Sequence, residues 1–152
     1  MPTDRTTLPI LLAEDDLEDQ TFARDALLAA RLMNELIVVQ DGQELLDCLR
    51  GTGAYAGAPP SRPGLILLDL KMPRMGGLEA LAEIKNDAAL RSIPIVVLTT
   101  SGVDEDIARS YALGVNSFIQ KPVTFSGLVE AIRELGHYWF QLVELPPRDG
   151  RI

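Results

Sequence analysis

Short aliphatic runs alternate with segments of helical periodicity along the chain. The run Leu65–Leu68 contains no polar residue, as is typical of a strand buried on both faces of a parallel sheet. Runs of this kind predict strands at 9–13, 65–69 and 93–98, and two further strands are predicted at 35–39 and 117–120. Because each strand is followed by an amphipathic helix, the pattern predicts an α/β fold with a doubly wound, five-stranded parallel sheet.

Apolar positions at helical spacing predict the buried face of each helix. The faces predicted for the first, third and fourth helices are Phe22, Ala23, Ala26, Leu27 and Ala30, then Leu78, Leu81, Ala82 and Lys85, then Ile107, Ala108, Tyr111 and Ala112. Gln20 falls mostly off the first of these faces. The second helix spans 43–50 and the last starts near Phe125. Residues 51–64 are rich in Gly and Pro, which predicts a loop with little structure of its own.

Polar side chains follow four of the five predicted strands. Glu14 and Asp15 follow the first strand, and Asp69 ends the third. Thr99 follows the fourth strand and Lys121 follows the fifth. Each residue alone is as well explained by an ordinary turn or helix entry. Right-handed crossovers place all strand carboxyl ends on one edge of the sheet, where ligands bind in such folds, so the set predicts a functional site.

The chemistry of this set favours a metal ion and a phosphoryl group. Three clustered carboxylates repel one another unless a cation neutralises them. Oxygen ligands without Cys or His indicate Mg²⁺, with Mn²⁺ as the alternative. A phosphoryl group carried on Asp69 would then be stabilised by the metal and Lys121, while Thr99 donates a hydrogen bond.

Composition narrows the functional classes. The chain has 152 residues, one domain's worth, with a net charge of −8 that disfavours nucleic-acid binding. A single cysteine, Cys48, cannot form an intramolecular disulfide, which favours a reducing cytoplasmic setting. No signal peptide or membrane-spanning run is expected from the apolar pattern.

Four segments together resemble the receiver domains of two-component response regulators, which have a flavodoxin-like fold. The matching segments are Ile-Leu-Leu-Ala-Glu-Asp-Asp, Leu-Ile-Leu-Leu-Asp-Leu-Lys-Met-Pro, Val-Val-Leu-Thr-Thr-Ser and Phe-Ile-Gln-Lys-Pro. The resemblance implies a receiver domain over residues 9–135, followed by a C-terminal extension at 136–152 that holds the helix end and an arm. It also implies a signalling phosphoacceptor rather than an enzyme acting on a separate substrate.

The resemblance assigns the metal and phosphoryl roles. It implies that Asp69 is the phosphoacceptor and that a histidine kinase is the phosphodonor. Asp69 would hold Mg²⁺ together with Glu14, Asp15 and the backbone carbonyl of Lys71. As the residue two after the phosphoacceptor, Lys71 also places a cation where it could alter the lifetime of the phosphoryl group.

The resemblance further implies a switch and shows one departure from the family pattern. Thr99 and Lys121 would contact the phosphoryl group, and Phe118 matches the aromatic position whose rotamer follows Thr99. The family commonly has Asp-Gly where this chain has Gly76-Gly77, which removes a helix cap and is expected to loosen that turn.

A narrower resemblance points to response regulators paired with bacterial phytochrome histidine kinases. It rests on Gly-Ala-Tyr-Ala at 53–56, the segment 90–101, and the C-terminal segment 138–147. This last segment is unusually apolar, and in the resembled subfamily it implies a homodimer arm. The arm residues would be Tyr138, Trp139, Phe140, Leu142, Val143, Leu145 and Pro146.

Other functions fit the residues less well. An aspartate-nucleophile phosphatase would carry Asp-x-Asp on its first strand, whereas Lys71 stands two residues after Asp69. In a flavodoxin-like electron carrier, Glu14-Asp15-Asp16 would repel the cofactor phosphate. Only about twenty residues follow the receiver, too few for a DNA-binding domain. A phosphorylation-independent interaction module with the same fold stays open as the alternative.

Overall fold

The chain forms one five-stranded parallel sheet with helices on both faces. The computed structural model describes residues 8–32, 34–57, 62–99, 104–121 and 124–137. In chain order the elements are β1 (Ile10–Ala13), α1 (Leu17–Ala29), β2 (Leu36–Val39), α2 (Gly42–Arg50), β3 (Leu65–Leu68), α3 (Gly77–Lys85), β4 (Ile95–Thr99), α4 (Asp104–Ala112), β5 (Ser117–Gln120) and α5 (Phe125–His137). The strands are ordered β2-β1-β3-β4-β5. The predicted fold class is confirmed.

Alternate residues of the central strands enter two separate hydrophobic cores. On one face, Leu11, Ile66 and Val97 lie in a cluster with residues of α2 and α3, including Leu45 and Leu81. The other face of the same strands packs against α1 and α5, in a cluster that contains Leu12, Leu67, Val96, Ala26, Leu27, Leu128 and Ile132. Because both faces are covered, these strands carry apolar residues at every position.

The turn between β2 and α2 is closed by reciprocal helix capping. The Asp41 carboxylate accepts a hydrogen bond from the Glu44 N–H at 2.8 Å, and Glu44 accepts one from the Gln40 N–H at 2.8 Å. The helix ends at Gly51, whose φ of 68° is the left-handed conformation that glycine adopts without strain. The helix predicted at 43–50 therefore agrees with the observed α2 to within one residue.

The loop at 51–64 has more structure than the sequence predicts. Residues Gly53–Tyr55 form a 3₁₀ turn. The Tyr55 hydroxyl donates a hydrogen bond to Glu44 at 2.9 Å, and Thr52 donates one to Asp47 at 3.0 Å. Carboxylates on α2 therefore hold the start of this loop, and burial with the Glu44 hydrogen bond raises the pKa of Tyr55 to about 12. Residues 58–61 lie outside the described residues.

The rotation of α3 differs from the prediction because Gly77 sets it. Leu81 is buried as predicted and Leu78 packs half-buried against the core, but the other buried positions of α3 are Gly77, Ala80 and Ile84 rather than the predicted Ala82 and Lys85. The Gly77 N–H donates to the Leu70 carbonyl at 2.9 Å. A Cβ on Gly77 would overlap the carbonyl oxygen of Asp69 and the Cα of Leu70. This close approach turns the helix so that its first turn lies against the backbone that follows β3.

Gly77→Ala is expected to destabilise the protein by about 1–3 kcal/mol, because backbone atoms that pack at this distance cannot easily move aside. Gly76→Ala is the matched control. A Cβ at Gly76 meets only the Leu70 carbonyl oxygen at 3.5 Å, an ordinary contact. Urea unfolding of both variants measures the difference, and equal stability of the two would contradict this account of the turn.

The predicted apolar face of α4 does not face the core. Tyr111 is 51% exposed, Ala108 and Ala112 are exposed, and Ile107 is only half-buried. Among residues 105–112 of this helix, Ser110 is buried, and its hydroxyl donates to the Asp106 carbonyl at 2.8 Å. Burying Ser110 is tolerated because its polar group is satisfied within the helix.

Gln20 is a second polar residue that the pattern misplaced. It is buried on α1, and its amide donates to the Glu14 carbonyl at 2.7 Å.

The segment that contains the predicted arm, 138–147, lies outside the described residues. Within the part of the chain that the structure describes, none of the helices combines the length and apolar character needed to cross a membrane.

Candidate functional site

The residues predicted at the strand ends lie together at the carboxyl edge of the sheet. Glu14, Asp69, Thr99 and Lys121 are buried, whereas Asp15 is exposed. Carboxylate oxygens of Glu14, Asp15 and Asp69 all lie within 4.8 Å of one another. The five residues predicted to meet at this edge of the sheet therefore lie close together.

Backbone hydrogen bonds between strands hold three of these residues in place. The Glu14 N–H donates to the Val39 carbonyl at 2.9 Å, the Asp69 N–H to Ala13 at 3.0 Å, and the Lys121 N–H to Thr99 at 2.7 Å. Each residue thus continues the hydrogen-bond ladder of its strand for one more step. Side chains placed on such a rigid edge keep their relative positions more precisely than side chains on free loops.

The two carboxylate oxygens of Asp69 have different surroundings. Oδ1 accepts hydrogen bonds from the Thr99 hydroxyl at 2.6 Å and from the Lys71 N–H at 3.1 Å. Oδ2 lies 3.8 Å from the ammonium of Lys121, beyond hydrogen-bonding distance. Oδ2 is therefore the oxygen with more of its nucleophilic capacity available.

Lys121 is closest to two other carboxylates. Its Nζ lies 2.5 Å from Glu14 Oε1 and 2.8 Å from Asp19 Oδ2. Burial lowers the pKa of Lys121, but the hydrogen bonds to Asp19 and Glu14 outweigh burial and raise it above its ordinary value. The lysine is therefore charged. Sequence analysis missed Asp19, although an acidic residue in the first turn of α1 was visible.

Glu14 is electrostatically strained. Burial raises its pKa to about 7, the nearby charge of Asp69 adds to this effect, and the hydrogen bond from Lys121 opposes it. An ionised Glu14 is thus held in an environment that disfavours its charge. A cation bound beside Glu14 and Asp69 would relieve this repulsion.

The three clustered carboxylates suit a hard divalent cation. Glu14, Asp15 and Asp69 offer only oxygen atoms, the donors that Mg²⁺ and Mn²⁺ prefer. Asp15 is exposed, which leaves room on its side for the waters that magnesium retains. The residues present therefore could hold such an ion.

A salt bridge fixes the loop that follows Asp69, and the sequence argument did not foresee it. Arg74, in the left-handed conformation with φ 61°, lies 2.7 Å from Asp41. Burial acts to raise the pKa of Asp41, but hydrogen bonds from the Glu44 N–H and from Arg74 outweigh burial and lower this pKa. The Gly42 N–H also donates to the Met75 carbonyl at 2.8 Å. The turn before α2 thus holds the β3–α3 loop from outside the site.

Phe118, the predicted switch residue, is half-buried and packs against the core cluster on the α2–α3 face. In the sheet it is the partner of Val97, two residues before Thr99. A displacement of β4 at Thr99 would therefore act directly on β5, the neighbouring strand that carries Phe118.

Comparison with known proteins establishes the family. The response regulator receiver domain family matches residues 10–133 of the chain. The chain belongs to this family and is a response regulator of a two-component system.

Individual relatives are also similar over most of their length. The response regulator Rcp1 of Synechocystis sp. is 39% identical over 137 residues, covering 90% of this chain and 92% of that protein. The structure of the phosphorylated cyanobacterial phytochrome response regulator RcpA has a TM-score of 0.82 and 41% identity, covering 93% of this chain and 99% of that one. The bacteriophytochrome response regulator AtBRR has a TM-score of 0.74 and 46% identity, covering 91% and 99%. A structure of Rcp1 is of its Mn²⁺-bound form, with a TM-score of 0.80, 38% identity and coverage of 92% of this chain and 99% of that one.

Proposed function

We propose that Asp69 is the phosphoacceptor of this response regulator and that its donor is a histidine kinase of the phytochrome type. The observation that carries the proposal is the placement of Asp69 between Thr99 and Lys121, beside Glu14 and Asp15. The phytochrome pairing is supported by the similarity to the phytochrome response regulator RcpA and the bacteriophytochrome response regulator AtBRR. The protein would act in the cytoplasm as a signalling component rather than as an enzyme on a separate substrate.

The reaction would join Asp69 Oδ2 to phosphorus. As that O–P bond forms, the N–P bond of the donor phosphohistidine breaks, and the electron pair leaves with the imidazole. Thr99 and Lys71 hold Oδ1 and orient the carboxylate, so that Oδ2 points away from these two donors. Lys121 is the cation close enough to offset charge on the transferred oxygens.

Glu14, Asp15 and Asp69, with the backbone carbonyl of Lys71, would hold Mg²⁺, for which Mn²⁺ could substitute. A bound divalent ion would offset negative charge on the phosphoryl oxygens. The set of oxygen donors supports this metal site, as does the Mn²⁺-bound form of the similar protein Rcp1.

The proposal that the protein accepts a phosphoryl group is tested by incubating it with acetyl phosphate and Mg²⁺ and measuring its intact mass. A single added phosphoryl group is expected, and no addition would contradict it.

Phosphorylation would act on the rest of the molecule through Thr99 and Phe118. The Thr99 hydroxyl, which donates to Asp69 in this structure, would donate instead to a phosphoryl oxygen. That movement draws the end of β4 toward the site and makes room for Phe118 to turn further inward. The surface that would change is that of α4 and β5, where Tyr111 is exposed.

We further propose that the apolar segment 138–147 is an arm that joins two copies of the chain, with 9–135 as the receiver. The support is compositional: Trp and Tyr are common anchors of interfaces, and an apolar tail is costly to expose. The full chain is expected to be dimeric at tens of micromolar by light scattering, and a chain ending at Gly136 is expected to be monomeric. A dimer that survives the truncation, or a monomeric full chain, would contradict the arm.

A further inference from the structure

Lys121 has three carboxylates around it in this structure, and the phosphoacceptor is the most distant. The Nζ–oxygen distances are 2.5 Å to Glu14, 2.8 Å to Asp19 and 3.8 Å to Asp69. The cation that phosphoryl transfer would use is therefore held toward the start of α1. The Glu14 and Asp19 contacts use two of the three N–H donors of the ammonium, so any shift of Lys121 toward Asp69 lengthens these two shorter contacts.

Asp19 is the neighbour that can release the lysine. The Glu14 carboxylate is buried, only 4% exposed, so it has little space in which to move away. The Asp19 side chain is 39% exposed and can turn into water, where its charge is solvated. Its charge is also tolerated by the helix, since it lies in the first turn near the positive end of the helix dipole.

The backbone of Asp19 is fixed independently of its side chain. The Asp19 N–H donates to the Asp16 carboxylate, the N-cap of α1, at 3.0 Å. This hydrogen bond places Asp19 opposite Lys121 whatever the Asp19 carboxylate does. A substitution that removes the charge at Asp19 therefore leaves the helix start intact, which makes the residue suitable for a test.

We propose that Asp19 is a positioning residue that holds Lys121 away from Asp69 in the unphosphorylated protein and competes with the phosphoryl group for it. This inference rests on the proposed function of Asp69. A shift of the lysine toward a phosphoryl group lengthens its contact with Asp19, so this contact lowers the affinity of the site for a phosphoryl group and favours the inactive state. In the phosphorylated protein the Asp19 carboxylate turns to solvent.

The test is the affinity for beryllofluoride, which mimics a phosphoryl group on aspartate, measured by calorimetry on the full chain in saturating Mg²⁺. Asp19→Asn is expected to bind beryllofluoride about two- to fivefold more tightly than the unmodified protein does, because a gain of this size corresponds to the loss of one partly exposed ion pair. Asp19→Ser is a second variant and should show the same gain. Asp19→Glu keeps the charge and should stay close to the unmodified protein.

Glu18→Gln is the matched control, because it removes the same charge from the same helical turn and Glu18 is exposed. A gain in Asp19→Asn that exceeds the gain in Glu18→Gln supports the proposal. Equal affinities of these two variants would show a general charge effect and overturn it, as would weaker binding by Asp19→Asn. If the unmodified protein binds no beryllofluoride, the proposed function of Asp69 fails instead, which distinguishes the two failures.

Discussion

Asp69→Asn is expected to reduce acid-labile phosphorylation of this protein to background. The amide that replaces the carboxylate has no anionic oxygen with which to attack phosphorus. The amide oxygen can still accept the hydrogen bonds that Thr99 and Lys71 donate to Oδ1, so the fold should be retained. The measurement is intact mass after incubation with acetyl phosphate and Mg²⁺, repeated with a cognate kinase.

Asp25→Asn provides the control for this variant, since Asp25 is an exposed aspartate on α1, remote in sequence from the strand ends. It should be phosphorylated like the unmodified protein. Labelling of Asp69→Asn at the level of the unmodified protein would show that another residue accepts the phosphoryl group, and would remove the main support for the proposed site. Far-ultraviolet circular dichroism of both variants separates loss of the nucleophile from loss of the fold.

Magnesium is expected to stabilise the protein by about 2.7 kcal/mol at a concentration one hundred times its dissociation constant, if it binds only the folded state. For a chain of this size that corresponds to an increase in melting temperature of about 5–10 °C. The physical reason is that burial, together with the nearby charge of Asp69, disfavours the ionised form of Glu14 and raises its pKa to about 7. A divalent cation at Glu14, Asp15 and Asp69 offsets this effect only in the folded chain.

Asp15→Asn should lose most of this stabilisation. Asp15 is exposed, so the substitution should change the metal-free stability little while removing one proposed ligand. Glu18→Gln removes an exposed carboxylate outside the three-residue group and should keep the full magnesium effect. A melting temperature that does not respond to millimolar Mg²⁺ in the unmodified protein would refute the metal site.

The central part of the site was predictable because it depends on topology more than on packing. Asp69, Thr99 and Lys121 each lie at the carboxyl end of a strand, and parallel strands joined by right-handed crossovers end on one edge. Knowing which runs are strands is therefore enough to bring these residues together. Family resemblance supplied their expected roles.

Side chains from helices were harder to place, as Asp19 and Gln20 show. The contact between Asp19 and Lys121 joins residues 102 positions apart, on α1 and just after β5. It depends on how far α1 is rotated and how closely it approaches the sheet edge. Sequence periodicity does not specify either quantity to within the length of a hydrogen bond.

The pattern of apolar residues by itself determined the succession of strands and helices along the chain, the parallel arrangement of the sheet and the edge that carries the acidic cluster. The predicted face of α1 is the one that is buried, but only the tertiary structure decided which faces α3 and α4 bury. In α4, Ser110 lies inward and Tyr111 outward, while in α3 the close contact of Gly77 with the backbone after β3 sets the rotation. Periodicity indicates that a helix has an apolar face, but packing against residues distant in sequence decides which side of the helix is buried. A hydroxyl that is hydrogen-bonded within its helix, or a glycine without a Cβ, can occupy the buried side in place of an apolar side chain.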